Sequence, residues 1–257
     1  MEDKLLEQKS ANFTNHWLLR GATWAVVLLG VAATFTLWVF SATDSKAEVT
    51  QKQLAAVPTG FDVQGVSLSQ NNGFIDFANL ADNDIQFAYF RSTTGNDFLD
   101  DAYLENVKRA HEDGLQTGAL LVFDNTVNGN TQAAYFINQV GDNIGQLPIM
   151  IAVGDDQISE DADKDILANL ISSLSWHYGR DVMIAATPKI QKALSDRVKN
   201  TKYWLLANNL TDKNSRNAFI QYEENHIIGT GMRQIVMPTS VFNGTTAQWQ
   251  KLLNAQK

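Results

Sequence analysis

The chain contains no cysteine and only four prolines in 257 residues, and its 20 Lys and Arg are outnumbered by 28 Asp and Glu. The lack of cysteine excludes a disulfide scaffold, a cysteine nucleophile and a thiolate metal site together. A formal charge of −8 argues against a nucleic-acid partner, because neutralising backbone phosphates takes a surplus of Lys and Arg. The four histidines, His16, His111, His177 and His226, are scattered without metal-ligand spacing, so neither a metal nor any other cofactor is expected. No Gly-x-Gly-x-x-Gly or Gly-x-x-x-x-Gly-Lys follows an apolar run, which leaves phosphate cradling without support. What is present is an apolar content of 44%, too high for a disordered chain and enough for one sizeable core.

Charge is also missing from one long stretch. Gly21 to Phe40 reads GATWAVVLLGVAATFTLWVF, and the next charge is Asp44. A helix of that length covers roughly 30 Å, the thickness of a bilayer's hydrocarbon core. Trp17 and Trp24 near one end and Trp38 near the other fit the interfacial positions that aromatic rings prefer. The run exceeds the roughly 7–15 apolar residues of a cleaved signal peptide and its leader is not clearly basic. Residues 21–40 are therefore read as a retained transmembrane anchor, with cleavage near Ser45-Lys46-Ala47 as the alternative. Lys4, Lys9 and Arg20 precede the span and Lys46 and Lys52 follow it, which favours a cytoplasmic tail over residues 1–20 and an extracytoplasmic C-terminal part. The tail's acids (Glu2, Asp3, Glu7) balance its bases, so the excess negative charge lies in the exported part. There it would hold that part off anionic lipid headgroups.

Residues 41–57 are small and polar and read as a stalk; residues 58–257 read as one domain. Strands are expected at Gly60–Val66, Ile85–Arg91, Gly118–Phe123, Pro148–Val153, Val182–Ala186, Tyr203–Ala207 and Gln234–Met237. Between them helical spacing covers Phe98–His111, Thr131–Val140, Glu160–Trp176, Pro188–Val198 and Thr245–Leu253. Alternation of apolar strands with helices predicts an α/β fold with a mostly parallel, two-sided sheet. The number of strands suits an irregular (β/α) barrel of TIM-like type, in which chemistry sits at the C-terminal strand ends. Asp62, an acid within the first apolar strand, is the leading candidate for a functional carboxylate, since an acid there is costly to bury unless it is paired or belongs to a site.

The segment GFDVQGVSLSQNNGFIDFANLADNDIQFAYFRSTTG resembles the opening of the glycoside hydrolase family 25 lysozymes. Those begin with a Gly-hydrophobic-Asp-Val-Ser strand, continue with an Ile-Asp-Phe/Trp helix start, and follow with a Phe-Ala-hydrophobic-Lys-Ala-Thr-Glu-Gly strand. Further similarities are Asp100-Asp101-Ala102-Tyr103, Ala110-His111-Glu112-Asp113-Gly114-Leu115, Gly118-Ala119, Gln132-Ala133-Ala134-Tyr135-Phe136, Leu147-Pro148, Tyr203-Trp204-Leu205-Leu206-Ala207 and Phe242-Asn243-Gly244-Thr245. The resemblance covers about residues 59–255. It implies an irregular β/α barrel that cleaves the β-1,4 bond between N-acetylmuramic acid and N-acetylglucosamine in peptidoglycan. It also implies Asp62 as a family acid; Trp204 and Tyr203 are read separately as candidate glycan-binding aromatics, since such rings can stack on sugar faces.

Glycoside hydrolysis generally needs two carboxyl groups flanking the scissile bond. The family's Asp-x-Glu closes the strand opened by Leu-Pro, where a spacing of two points both acids to one face. Here those positions are Ala152 and Gly154. The Glu of Ala-Thr-Glu-Gly corresponds to Thr94, the aromatic and His positions after Gly-Ala correspond to Leu120 and Leu121, and the late Asp corresponds to Pro238. Asp155 and Asp156 are the nearest substitutes, although Asp156 would sit roughly 6.5–7 Å further along the strand than Gly154. The expectation is a membrane-anchored, exported lysozyme-like domain that has lost hydrolysis and binds peptidoglycan glycan strands or a cell-wall protein. The alternatives are a divergent active N-acetylmuramidase using Asp62 with Asp155 or Asp156, and a scaffold that offers the barrel only as a rigid surface.

Overall fold

A computed structural model of the chain describes residues 58–256. The expected tail, anchor and stalk lie outside the described residues, among which no helix is long and apolar enough to cross a membrane.

The strands are β1 (Gln64–Leu68), β2 (Ile85–Thr94), β3 (Phe98–Leu99), β4 (Gln116–Val122), β5 (Ile149–Ala152), β6 (Val182–Ala186), β7 (Tyr203–Leu206), β8 (Asn217–Ile228) and β9 (Ile235–Phe242). The helices are α1 (Phe77–Asp82), α2 (Tyr103–Glu112), α3 (Gly129–Val140), α4 (Asp161–Tyr178), α5 (Pro188–Ala193) and α6 (Thr246–Ala255). The sheet runs β1-β9-β8-β7-β6-β5-β4-β2-β3, and β1 also pairs with β2, so eight strands close into a barrel and β3 hangs from β2 as a short antiparallel edge. Pairing is parallel from β1 through β2, β4, β5, β6 and β7 to β8. The β8–β9 and β9–β1 pairs are antiparallel. This is the irregular (β/α) barrel expected from the alternation of elements.

Period-two alternation divides the core into two parts. On β2, Phe87 and Tyr89 point into the barrel, where they meet Trp204 and Phe219 from the far wall at ring separations of 5.1–6.2 Å. Ala88 and Phe90, between and beyond them, face the outer layer with Leu80, Phe136, Leu167 and Leu170 from the helices. Glycine is required at Gly65, because a Cβ there would collide with the ring and carbonyl of Phe87. The N-terminal end of the barrel is closed by α6. Its start is fixed by a reciprocal cap between Thr245 and Gln248, and its Trp249 packs on Phe87, Phe219 and Phe242.

The structure departs from the sequence expectation in several places. β1 begins at Gln64 rather than Gly60, which leaves Asp62 ahead of the strand. Phe98 and Leu99 form β3 and not the first turn of a helix, which starts at Tyr103. α5 ends at Ala193 rather than Val198. The twelve-residue β8 has no counterpart in the expectation. Its pairing with β9 shifts register between Gln221 and Glu223 and again between Glu223 and His226, and such bulges break the alternation by which a strand is recognised.

Replacing Trp249, 4% exposed, with alanine removes the plug from the N-terminal end. The expected loss is about 3–5 kcal/mol of stability, read as a lower urea midpoint at unchanged slope.

Candidate functional site

In a barrel of this kind the C-terminal strand ends form the mouth, and here they surround a cavity of about 280 Å³. Ser67 enters it from β1, and Ser69 and Asn72 from the turn that follows. Arg91 enters from β2 and Leu120 from β4. Ala152, Ala185, Trp204 and Leu206 supply the apolar wall from β5, β6 and β7, and Gln221 and Pro238 complete the ring from β8 and β9. No Asp or Glu lines this cavity.

The one charged lining residue, Arg91, is held in place from two directions. Its Nε donates to Oδ2 of Asp100 at 3.1 Å, and its guanidinium lies 4.9 Å from the ring centre of Phe98 on β3. Asp100 is buried. It also accepts from the backbone N–H of Gln70 at 2.9 Å and of Ala102 at 3.1 Å. A buried carboxylate is tolerable when its lone pairs are filled in this way. Asp100 is thereby committed to structure: it ties the turn after β1 to the start of α2 and fixes the arginine between them.

The residues singled out from sequence are distributed as follows. Ala152 lines the mouth. Gly154 lies just beyond β5, its N–H donating to Oε1 of Gln157 at 2.7 Å, while Gln157 Nε2 donates to the Phe123 carbonyl at 2.5 Å. Asp156 Oδ1 stands 3.1 Å from where a Cβ on Gly154 would be. Asp155 is engaged elsewhere: Thr187 Oγ1 donates to its Oδ1 at 2.5 Å, and Lys189 Nζ to its carbonyl at 2.9 Å. Neither acid lines the cavity. Thr94 ends β2 opposite Phe98 and Val122, outside the cavity wall. Leu120 and Pro238 face the mouth, whereas Leu121 packs in the outer layer.

Two expectations need correction. Asp62 lies at the opposite end of the barrel, exposed, beside the starts of β2 and β4 and the first turn of α6, where Thr246 Oγ1 donates to its Oδ2 at 3.0 Å. It precedes Ser67 by five residues, about 16 Å at the rise of a strand, so it cannot share a sugar with any group at the mouth. The physical reason is that β1 starts later than expected. The Gly-hydrophobic-Asp-Val-Ser pattern also fits Gly65-Val66-Ser67-Leu68-Ser69, which puts Ser67 at the acid's position. The final Ser of the pattern, matched by Ser69 and not by Gln64, was the signal in the sequence for this register. Tyr203 is the second correction. Alternation on β7 turns it into the outer layer, fully buried against Arg216, while Trp204 faces the mouth. Even Trp204 is buried, donating through Nε1 to Ser240 Oγ at 2.9 Å, so it forms a floor. Arg91 and Gln221 were missed; Arg91 falls at the Lys position of the Phe-Ala-hydrophobic-Lys-Ala-Thr-Glu-Gly pattern, which was the available signal, whereas no pattern in the sequence marks Gln221.

The sequence model of the family described as Glycosyl hydrolases family 25 matches residues 66–230. The chain belongs to this family. The match begins after Asp62 and ends before Pro238. Among curated relatives, an uncharacterized protein, YegX of Escherichia coli K12, is 29% identical over 102 residues, 38% of each chain. Lysozyme M1 of Streptomyces globisporus is 31% identical over 80 residues, 31% of this chain and 27% of that one. The alignments thus span well under half the length of these relatives. Among solved structures, a family 25 glycosyl hydrolase from Bacillus anthracis superposes with a TM-score of 0.68 at 23% identity, over 76% of this chain and 95% of that one. A bacterial lysozyme from Streptomyces coelicolor gives 0.64 at 21% identity, over 78% and 100%. At these identities the likeness establishes the fold.

Substituting Asp100 with asparagine puts an amide N–H₂ among donors. The expected cost is about 1–3 kcal/mol, measured as a lowered denaturation midpoint of the purified chain.

Proposed function

We propose that this chain is a membrane-anchored, extracytoplasmic member of family 25 that binds peptidoglycan glycan strands without cleaving them. The observation that carries this reading is the cavity wall without a carboxylate at the barrel mouth. Cleavage of a glycosidic bond takes an acid to protonate the leaving oxygen and a second carboxylate to support the oxocarbenium-like centre. A general acid alone contributes roughly 10²–10⁴-fold. Positions implied by the family resemblance to be acidic hold Ser67, Thr94, Ala152, Gly154 and Pro238. What remains is a small cleft with an apolar wall and a few polar groups at its rim, the common make-up of a ligand site. Anchoring through residues 21–40 with the barrel outside the cytoplasm accords with the charge flanking that span.

One observation favours a second reading, an active muramidase. Asp156 Oδ1 approaches the position of a side chain on Gly154. That reading still lacks a carboxylate on the cavity wall, where glycosidases place a pair of them.

Purified full-length protein in detergent micelles is expected to leave peptidoglycan unclarified in a turbidity assay and to co-sediment with insoluble peptidoglycan. Ala152→Trp, which fills the mouth, is expected to abolish co-sedimentation while leaving the far-UV circular dichroism unchanged. Lysis by the wild type that disappears in Asp156→Asn would establish the muramidase instead. Failure of the wild type to sediment would favour a protein partner.

A further inference from the structure

The N-terminal end of the barrel holds a cleft of about 350 Å³ between α6 and the starts of β7 and β8, at the opposite end from the mouth. Lys202, the residue before β7, enters it from the barrel rim. Lys251 enters from α6, on the face that Gln248, Leu252 and Ala255 share with it at helical spacing. Neither ammonium group has a carboxylate within salt-bridge distance among the described residues, whereas those of Lys108 and Lys164 do. Asp181 is the one acid on the cleft wall, and its Oδ2 accepts from Gln256 Nε2 at 3.4 Å. In a chain of formal charge −8, these two lysines leave a local positive charge uncompensated. Like charges in a common cleft repel, and an anion seated between them removes the repulsion.

The rest of the wall suits a small oxyanion. Gln248 uses its Oε1 to accept from the backbone N–H of Thr245 at 2.8 Å, which leaves its amide N–H₂ as a donor. Ser215 adds a hydroxyl, and Ala218, Phe242 and Leu252 form an apolar floor. The volume falls within the roughly 300–1,000 Å³ typical of small-molecule sites. Lysine binds as a compact point charge and not as the planar fork with which arginine grips a carboxylate. Two such charges match the roughly −1.5 to −2 that a phosphate monoester carries near neutral pH.

We propose that this cleft binds a phosphate monoester, its oxygens shared between Lys202 and Lys251 and its organic part against the apolar floor. Because one lysine belongs to α6 and the other to the barrel rim, the anion ties the plugging helix to the ring it closes. The site is separate from the mouth, so the proposal stands apart from the glycan-binding reading. The phosphate is either the headgroup of a lipid or part of a soluble ester, and matched probes separate the two sources.

The test is the rate of lysine acetylation in the full-length protein, read by mass spectrometry, with Lys108, exposed on α2, as internal reference. Protein in detergent micelles would be compared with glycerol 1-phosphate and with glycerol. Protein in phosphatidylcholine nanodiscs would be compared with and without phosphatidic acid. With at least one phosphate probe at several times its dissociation constant, Lys202 and Lys251 are expected to react about fivefold more slowly, and Lys108 at an unchanged rate. Slowing in the phosphatidic acid discs assigns the phosphate to a lipid headgroup; slowing by glycerol 1-phosphate alone assigns it to a soluble ester. The protection is expected to weaken from low to high salt. Lys202→Gln is expected to weaken the protection of Lys251, and Lys251→Gln that of Lys202. Both positions are exposed, so neither change threatens the fold. Unaltered acetylation with every probe, undiminished protection of Lys251 in Lys202→Gln, or equal protection of Lys108 overturns the inference.

Discussion

Closure of the sheet through β1 is the constraint on which everything else in this molecule depends. β1 bonds to β2 on one side and to β9 on the other, and without both pairings the strands would form an open sheet with two edges. Once the ring is closed, alternation along each strand has only two destinations, the barrel interior and the layer beneath the helices. Phe87 and Tyr89 fill the interior while Ala88 and Phe90 meet the helices. The interior is packed solid from Trp249 at one end to Trp204 near the other. Along the barrel interior, space therefore remains at the mouth, above the last inward residue of each strand.

That mouth is defined as much by its neighbours as by its wall. The carboxylate closest to it in role, Asp100, faces away into a set of donors that satisfies it. The acids of the loop after β5 are held by Thr187 or stand clear of the cavity. A chain with more acidic than basic residues thus has no Asp or Glu lining the mouth. The one charged residue on the wall, Arg91, is paired with Asp100.

The opposite end of the barrel has a different task. Asp62 accepts a hydrogen bond from Thr246 at the first turn of α6, where negative charge is favoured by the helix dipole. Its carboxylate helps seat the helix that plugs the barrel. An acid in an apolar segment attracts attention for good reason, but the cost of burial that motivated it does not arise, because the residue is exposed and ahead of the strand.

Much of the fold was legible in the amino-acid order. The strand at Val182–Ala186 was read to the residue, and the helices around Thr131–Val140 and Glu160–Trp176 to within two residues at either end. The family could be read from motif order. These are properties of local periodicity and spacing, which depend on neighbours along the chain. Three things were left to the tertiary structure: which end of the barrel holds Asp62, which of Tyr203 and Trp204 faces the mouth, and that Arg91 is clamped by Asp100 and Phe98. The first depends on where β1 starts, the second on the register with which distant strands meet and the third on the β2–β3 hairpin, and a shift of one residue sends every side chain of a strand to the other face. Such a shift leaves composition and periodicity unchanged, so only the closed barrel could decide it.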